Sequence, residues 1–210
     1  MTLDIKHIMD ISPVMPVLVI KNVEHAVPLA QALFRGGLKV LEITLRTQAA
    51  LEAITLIREH LPDAIVGAGT VIDAETLMAA EQAGASFFVS PGATDSLLKA
   101  AQYSSKPLLP GVATPGEAMK LYEQGYSALK FFPAEAAGGV AMLKAIGGPL
   151  PQLDFCPTGG INPDNAADYL AVPSVRCVGG SWMAPDNLIQ SQNWPAIEAL
   201  ARAASELNKL

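Results

Sequence analysis

Short apolar runs rich in β-branched and aromatic residues recur along the chain, and a break at Gly, Pro or Thr follows most of them. Between these runs lie stretches with apolar residues at spacings of three and four, the period of an amphipathic helix. Eight runs predict strands: 14–20, 38–44, 64–68, 86–90, 107–109, 128–131, 153–157 and 175–178. The predicted helices include 23–34, 49–60, 74–83 and 115–124, with Gly36, Gly84 and Gly125 as helix stops.

Strands that alternate with helices pair in parallel, because a parallel neighbour is reached only through a crossover. Eight such units close most economically into a barrel. A doubly wound sheet is the alternative, but its first strand usually runs into a Gly-rich turn. Here the first strand is followed by Lys21, Asn22 and Val23, with no glycine among them. We therefore predict an α/β chain of the (β/α)8 TIM barrel class, with residues 1–210 as one domain.

Two further helices are predicted at the ends of the chain. The residues before Val14 form a short N-terminal helix that covers the bottom of the barrel, and residues 194–210 form a final helix. Linkers rich in Pro or Ser and low-complexity segments do not interrupt the pattern, which favours a single domain.

Polar residues within the predicted strands are the first candidates for chemistry, because a barrel's active site lies at the C-terminal ends of its strands. The strand face that packs on the helices must be apolar. On the second strand this rule turns Glu42 and Arg46 toward the barrel axis, and on the sixth it turns Lys130 inward. On the third strand we expect Val66, Ala68 and Thr70 to point inward.

Lys130 and Glu42 are charged residues inside predicted strands, where an uncompensated charge is costly. One interpretation is a barrel salt bridge that only fixes packing. The other is chemical: Lys130 lies between Leu129 and Phe131, and burial favours the neutral amine, which attacks carbonyl groups. Lys130 is therefore a candidate for a Schiff-base lysine.

Paired glycines follow the last two predicted strands. The seventh strand leads through Thr158 to Gly159 and Gly160, and the eighth leads to Gly179, Gly180 and Ser181. Such turns expose backbone N–H groups, and a short helix predicted to begin near Ser181 would aim its N-terminus at the same place. The pattern predicts a phosphate site.

The charge balance limits the partners. The chain has 14 Lys and Arg against 20 Asp and Glu, for a net charge of −6. A negative protein repels phosphate backbones and anionic lipid, so we expect a small-molecule substrate and neither nucleic acid nor membrane as a partner. Only 16% of the residues are charged, which hints at surface covered in an oligomer.

The cysteine count and the N-terminus bear on the compartment. Cys156 and Cys177 each lie in a short apolar run, as buried thiols of a reduced protein do. The N-terminal sequence has neither a basic region nor a continuous apolar region typical of a signal peptide. We expect a cytoplasmic protein. The three histidines show no metal-ligand spacing, so neither a metal nor another cofactor is expected.

Seven strings occur at barrel positions in chain order: LEITLRT (41–47), GAGTV (67–71), SPG (90–92), LPGVAT (109–114), LKFFPAE (129–135), FCPTGG (155–160) and VGGSW (178–182). They resemble the 2-keto-3-deoxy-6-phosphogluconate (KDPG) aldolase family, also called 4-hydroxy-2-oxoglutarate aldolase, and the match covers essentially the whole chain. This family comprises class I aldolases of the Entner-Doudoroff pathway.

The resemblance implies a role for each candidate. Lys130 would form the Schiff base, Glu42 would donate and accept protons, and Arg46, with Thr70 nearby, would bind the substrate carboxylate. The remaining implied contacts are Pro91 and Phe132 as pocket lining, Thr158 on the substrate, and Gly159, Gly160, Gly180 and Ser181 on the phosphate. It also implies a metal-free homotrimer that releases pyruvate and D-glyceraldehyde 3-phosphate.

Other functions remain open from the residues alone. Within the aldolases, the substrate could be the C4-epimeric 6-phosphogalactonate compound, or 4-hydroxy-2-oxoglutarate could be the main one. A phosphosugar isomerase or epimerase would use Glu42 as a base and form no imine. A non-catalytic phosphate-binding barrel would only pair Lys130 with Glu42.

Overall fold

A computed structural model describes residues 4–207 of the chain, and these residues form parallel strands that alternate with helices. The strands are β1 (Val14–Leu18), β2 (Val40–Thr44), β3 (Ile65–Gly69), β4 (Phe88–Val89), β5 (Leu108–Leu109), β6 (Gly111–Val112), β7 (Ala128–Phe131), β8 (Asp154–Pro157) and β9 (Val178–Gly180). The helices are α1 (Ile5–Asp10), α2 (Ala26–Arg35), α3 (Ala50–His60), α4 (Ala74–Gln82), α5 (Asp95–Ala101), α6 (Pro115–Glu123), α7 (Gly139–Gly147), α8 (Ala166–Leu170), α9 (Asp186–Gln190) and α10 (Trp194–Ser205).

The strands close into a barrel. Neighbours pair in the order β5-β4-β3-β2-β1-β9 and β6-β7-β8. Isolated parallel bridges from Phe155 to Val175 and from Thr158 to Gly179 join the β8 side to the β9 side. The short strands β5 and β6 flank Pro110, which has no N–H for a ladder hydrogen bond. Together they occupy the position of the fifth of the eight barrel strands, and the predicted (β/α)8 barrel is confirmed.

The barrel interior is a compact apolar cluster, closed at the N-terminal ends of the strands by α1. Met15, Val40 and Ala128 contribute from the strands, and Ile8 and Met9 contribute from α1. Lys6 of α1 places its Nζ 2.7 Å from the carboxylate of Asp154, the first residue of β8. The predicted short helix at the barrel bottom is confirmed.

A second, larger core fills the layer between strands and helices. Leu41 and Ile43 of β2 and Leu129 and Phe131 of β7 belong to it. The opposite parity on these strands faces the interior, as predicted. On β2 and β7, the packing of the apolar residues against the helices therefore turns the polar residues toward the barrel axis.

On β3, the predicted orientation is wrong. Val66 and Ala68 pack in the outer core, and the interior positions belong to Gly67 and Gly69. A Cβ at Gly67 would overlap the ring of Phe87, which is part of the interior cluster. Because large side chains from neighbouring strands fill the axis here, β3 contributes only backbone to it.

Several boundaries also differ from prediction. The stretch predicted as helix from residue 23 begins with a 3-10 turn (Val23–His25) before α2. The final helix ends at Ser205, and positions 208–210 of the predicted helix lie outside the described residues.

Across residues 4–207, none of the helices has the length and apolar character needed to span a bilayer.

Candidate active site

A buried ion pair lies across the barrel interior. Lys130 Nζ donates a hydrogen bond to Glu42 Oε1 at 3.3 Å, and the two side chains are only 5% and 2% exposed. Lys130 is on β7 and Glu42 is on β2, which are not neighbours in the barrel, so the pair meets across the axis. Replacing one partner would leave the other charge buried without compensation.

Phe132 and Gly69 lie next to this pair. Lys130 Nζ lies 5.4 Å from the ring centre of Phe132, within range of a cation–π contact. The carboxylate of Glu42 lies against Gly69 of β3, where any Cβ would overlap Oε1. Gly69 belongs to the GAGTV string, but we predicted no role of its own for this residue. The structure shows one: the missing side chain of Gly69 makes room for Glu42.

Arg46 and Thr70 form a second polar contact, above the C-terminal ends of β2 and β3. Arg46 is exposed, and its Nε donates to Thr70 Oγ1 at 3.0 Å. Thr70 has a φ of 59°, a left-handed conformation that costs a β-branched residue on the order of 1–3 kcal/mol. This turn, rather than the strand alternation we predicted, brings the hydroxyl of Thr70 to Arg46.

The turn after β8 has the backbone that the sequence predicted. Gly159 and Gly160 have φ values of 102° and 80°, where L side chains are strained. Thr158, 6% exposed, precedes them and bridges to Gly179. The β8 turn and the end of β9 therefore lie side by side.

Glu135, which follows β7, supports this turn. Its backbone N–H donates to Gly159 O at 3.1 Å, and its Cγ lies 2.6 Å from where a Cβ of Gly160 would be. The buried phenol of Tyr169 donates to the Glu135 carboxylate. Burial and this hydrogen bond raise the pKa of Tyr169, so the phenol remains a donor. Sequence reasoning gave Glu135 and Tyr169 no role.

At β9, two predictions are wrong. Gly179 and Gly180 are part of the strand rather than a turn after it, and no helix begins near Ser181, since α9 starts at Asp186. Pro185 immediately precedes α9, and the fixed φ of proline favours a helix start at that point. Ser181 instead opens a turn, in which its carbonyl accepts from Ala184 N at 3.0 Å.

Local contacts explain the positions of Gly180 and of the two predicted pocket residues. A Cβ at Gly180 would overlap the ring of Trp182. Pro91 and Phe132 are half-buried; the backbone of Pro91 lies close against Gly111, and Phe132 N donates to Val112 O at 3.0 Å. Phe132 follows β7 directly and Pro91 lies two residues after β4, so both are at the C-terminal end of the barrel.

The C-terminal end of the barrel therefore holds a buried amine and carboxylate in contact, an exposed guanidinium, and a turn of backbone amides. A clustered amine and carboxylate can perform nucleophilic attack with proton transfer. In the part of the chain that the structure describes, no three His, Cys, Asp or Glu residues cluster as metal ligands would.

Residues 5–200 match the family model described as KDPG and KHG aldolase. The chain belongs to the KDPG and KHG aldolase family. A relative in this family, the 2-dehydro-3-deoxy-phosphogluconate aldolase of Pseudoalteromonas atlantica, is 55% identical over 91% of this chain and 89% of its own length.

Two solved structures of KDPG aldolases have the same fold. That of Legionella pneumophila, which holds pyruvate as a covalent carbinolamine captured at low pH, has a TM-score of 0.94 and 51% identity, covering 96% of this chain and 98% of that one. That of Zymomonas mobilis ZM4 with 3-phosphoglycerate has a TM-score of 0.92 and 47% identity, covering 100% and 98%.

Proposed function

We propose that this protein is a class I KDPG aldolase, which cleaves 2-keto-3-deoxy-6-phosphogluconate reversibly to pyruvate and D-glyceraldehyde 3-phosphate. The buried Lys130–Glu42 pair, with Nζ and Oε1 at 3.3 Å, supports this function most directly, since it combines a nucleophile with a proton carrier. Membership of the KDPG and KHG aldolase family and the covalent pyruvate intermediate in the Legionella relative support the same reaction.

Lys130 forms the covalent intermediate. Glu42 first takes a proton from Lys130 Nζ across their contact. The neutral amine then attacks the C2 ketone, and a proton passes from nitrogen to oxygen to give a carbinolamine. Glu42 then protonates the departing hydroxyl, water leaves, and a protonated imine remains on Nζ. Because Glu42 already contacts Nζ, the same carboxylate can serve each of these proton transfers.

Carbon–carbon cleavage follows from the positive charge on the imine. A carboxylate removes the proton of the C4 hydroxyl, the C3–C4 bond breaks, and its electron pair neutralises the iminium as an enamine. Glyceraldehyde 3-phosphate leaves. The proton returns to C3, and hydrolysis of the imine then releases pyruvate and the free amine. Glu42 is suited to carry the proton both in the cleavage step and in the release of pyruvate.

The two anionic ends of the substrate need separate sites. The exposed guanidinium of Arg46, oriented by Thr70, is suited to a two-pronged contact with the pyruvyl carboxylate. The Gly159–Gly160 turn, with Gly180 and Ser181 beside it, provides backbone and hydroxyl donors for the phosphate. Pro91, Phe132 and Thr158 line the space between the two ends.

4-Hydroxy-2-oxoglutarate is a second substrate in this proposal. It has the same 2-oxo acid and C4 hydroxyl but lacks the phosphate, so Lys130, Glu42 and Arg46 can act on it without the glycine turn. The family description includes this activity. A phosphosugar isomerase or epimerase, which would need no amine nucleophile, is not favoured by these findings.

Reduction with borohydride tests the function. In the presence of pyruvate, the wild-type protein should gain a stable pyruvyl-derived adduct, which peptide mass spectrometry should locate on Lys130. An enzymatic assay for pyruvate release from KDPG should show turnover in the same preparation. If no adduct forms at Lys130, the imine mechanism is wrong.

We also propose a homotrimer in the cytoplasm. Large apolar side chains such as Ile72 and Met78 are more than half exposed in one chain, as expected of a surface that a neighbouring subunit covers. Both cysteines are buried thiols, which fits a reducing compartment. Light scattering after size exclusion should give the mass of three chains; a monomeric mass would contradict the assembly.

A further inference from the structure

A cavity of about 340 Å³ opens between the end of β1 and the segment after β9. Ser181 and residues 184–186 line one wall, and residues 17–19 with Lys21 line the other. Ser181 is a residue to which the proposed function gives a phosphate contact. The cavity therefore adjoins the phosphate end of the site.

Lys21 is the one cation among the described residues that line this cavity. Its Nζ lies 2.9 Å from Asp186 Oδ2. The two side chains are 57% and 60% exposed, and such pairs contribute little to stability. Exchange of Asp186 for another anion at Lys21 therefore costs little.

The other cations at the barrel mouth already have neighbours. Arg46 contacts Thr70 and Lys130 contacts Glu42, and the proposed function commits both to the pyruvyl end. A phosphate monoester has a charge of about −1.5 to −2, whereas backbone N–H groups supply only partial charges. In a chain with a net charge of −6, a full positive charge in a cavity that Ser181 also lines favours the binding of an anionic ligand.

We propose that Lys21 is a specificity-determining residue, which leaves Asp186 and pairs with the substrate phosphate when the phosphorylated substrate binds. Asp186 competes with the phosphate for the same ammonium group. The inference rests on the proposed function and adds to it a residue outside the Gly159–Gly160 turn and the end of β9. It predicts opposite effects for the two members of one ion pair.

Steady-state kinetics of Lys21→Met and Asp186→Asn test the proposal. With KDPG, Lys21→Met should raise KM by about 10- to 100-fold, the range of a lost charge-assisted hydrogen bond, with little change in kcat. Asp186→Asn should lower KM about two- to fivefold, as removal of an exposed competing charge would. With 4-hydroxy-2-oxoglutarate, which has no phosphate, neither variant should change KM.

A second ion pair provides the matched control. Lys120 and Asp95, 2.6 Å apart and 54% and 78% exposed, lie on α6 and α5, away from β1 and β9 in the barrel order. Lys120→Met and Asp95→Asn change the net charge equally and should leave KM for both substrates unchanged. Lys21→Arg, which keeps the charge, should recover most of the affinity for KDPG.

The outcomes distinguish a failure of the Lys21 proposal from a failure of the proposed aldolase function. If Lys21→Met raises KM no more than Lys120→Met does, or affects both substrates equally, Lys21 has no role in phosphate recognition. A higher KM for KDPG in Asp186→Asn would also overturn it, since the pair would then act together. Absence of a pyruvate adduct on wild-type Lys130 would instead overturn the aldolase function.

Discussion

The two sides of the C-terminal end of the barrel differ in which groups they present: one presents side chains and the other presents backbone. On the β2–β7 side, Lys130 and Glu42 are side chains anchored in strands and almost completely buried. On the β8–β9 side, Gly159 and Gly160 present backbone in left-handed conformations. Ser181, after β9, lines a cavity together with the exposed Lys21–Asp186 pair. In the proposed function, the first side performs the covalent chemistry and the second side binds the phosphate.

The contrast has a physical reason. An imine mechanism needs an amine and a proton carrier held at fixed separation in a low-dielectric interior, which strands provide. A phosphate needs several donors that converge on its oxygens, and N–H groups of a tight turn provide them without long side chains. Variants on the first side should therefore affect both substrates, and variants on the second should affect only the phosphorylated one.

Lys130→Met should have the largest effect. Without the amine no imine forms, so kcat should fall by at least about 10⁴-fold, as when a covalent nucleophile is removed, with KDPG and with 4-hydroxy-2-oxoglutarate alike. Pyruvate release assays and borohydride trapping measure both losses. Met keeps the length and apolar stem of Lys130 but leaves Glu42 without its partner, so the variant should be less stable than the wild type. Circular dichroism at the assay temperature verifies that it is folded. Normal turnover would refute the mechanism.

Glu42→Gln should be next. The amide keeps the shape of the carboxylate but cannot carry protons, so kcat should fall by about 10²- to 10⁴-fold while KM changes little for either substrate. Stopped-flow measurement of imine formation should show the slower proton transfer directly. A variant that loses affinity but retains kcat would place Glu42 in binding instead.

Arg46→Met should raise KM for both substrates by about 10- to 100-fold, because each has the pyruvyl carboxylate and a charge-assisted hydrogen bond is lost. Comparison of the two KM ratios is the informative measurement. An effect confined to KDPG would instead assign Arg46 to phosphate binding and would contradict the proposed difference between the two sides.

Gly160→Ala should have the smallest effect and separate the two sides. At a φ of 80° and with the new Cβ 2.6 Å from Glu135 Cγ, the turn must shift, costing about 1–3 kcal/mol of stability. KM should rise about tenfold for KDPG and stay constant for 4-hydroxy-2-oxoglutarate.

The control is Gly116→Ala in α6, where a Cβ would meet nothing within 4 Å. Thermal unfolding should show it as stable as the wild type or slightly more stable, with unchanged kinetics. Equal losses with both substrates in Gly160→Ala would mean that the turn supports the whole site rather than the phosphate.

Much of this molecule follows from the sequence. The alternation of apolar runs and helical periods determined the barrel, because parallel strands need crossovers. The parity of β2 and β7 placed Glu42 and Lys130 on the interior face, because the helix layer accepts only apolar side chains. The same reasoning failed on β3, where apolar Val66 and Ala68 face the helices and glycines face the axis.

Only the tertiary structure decided which side chains meet. The 3.3 Å contact between Lys130 and Glu42 joins residues 88 positions apart, and the space for it comes from Gly69 on a third strand. The left-handed turn of Thr70, the support of the glycine turn by Glu135 and Tyr169, and the Lys21–Asp186 pair have no local pattern in the sequence. Local periodicity records which face of an element is buried, but distances across a barrel depend on how all its strands pack together.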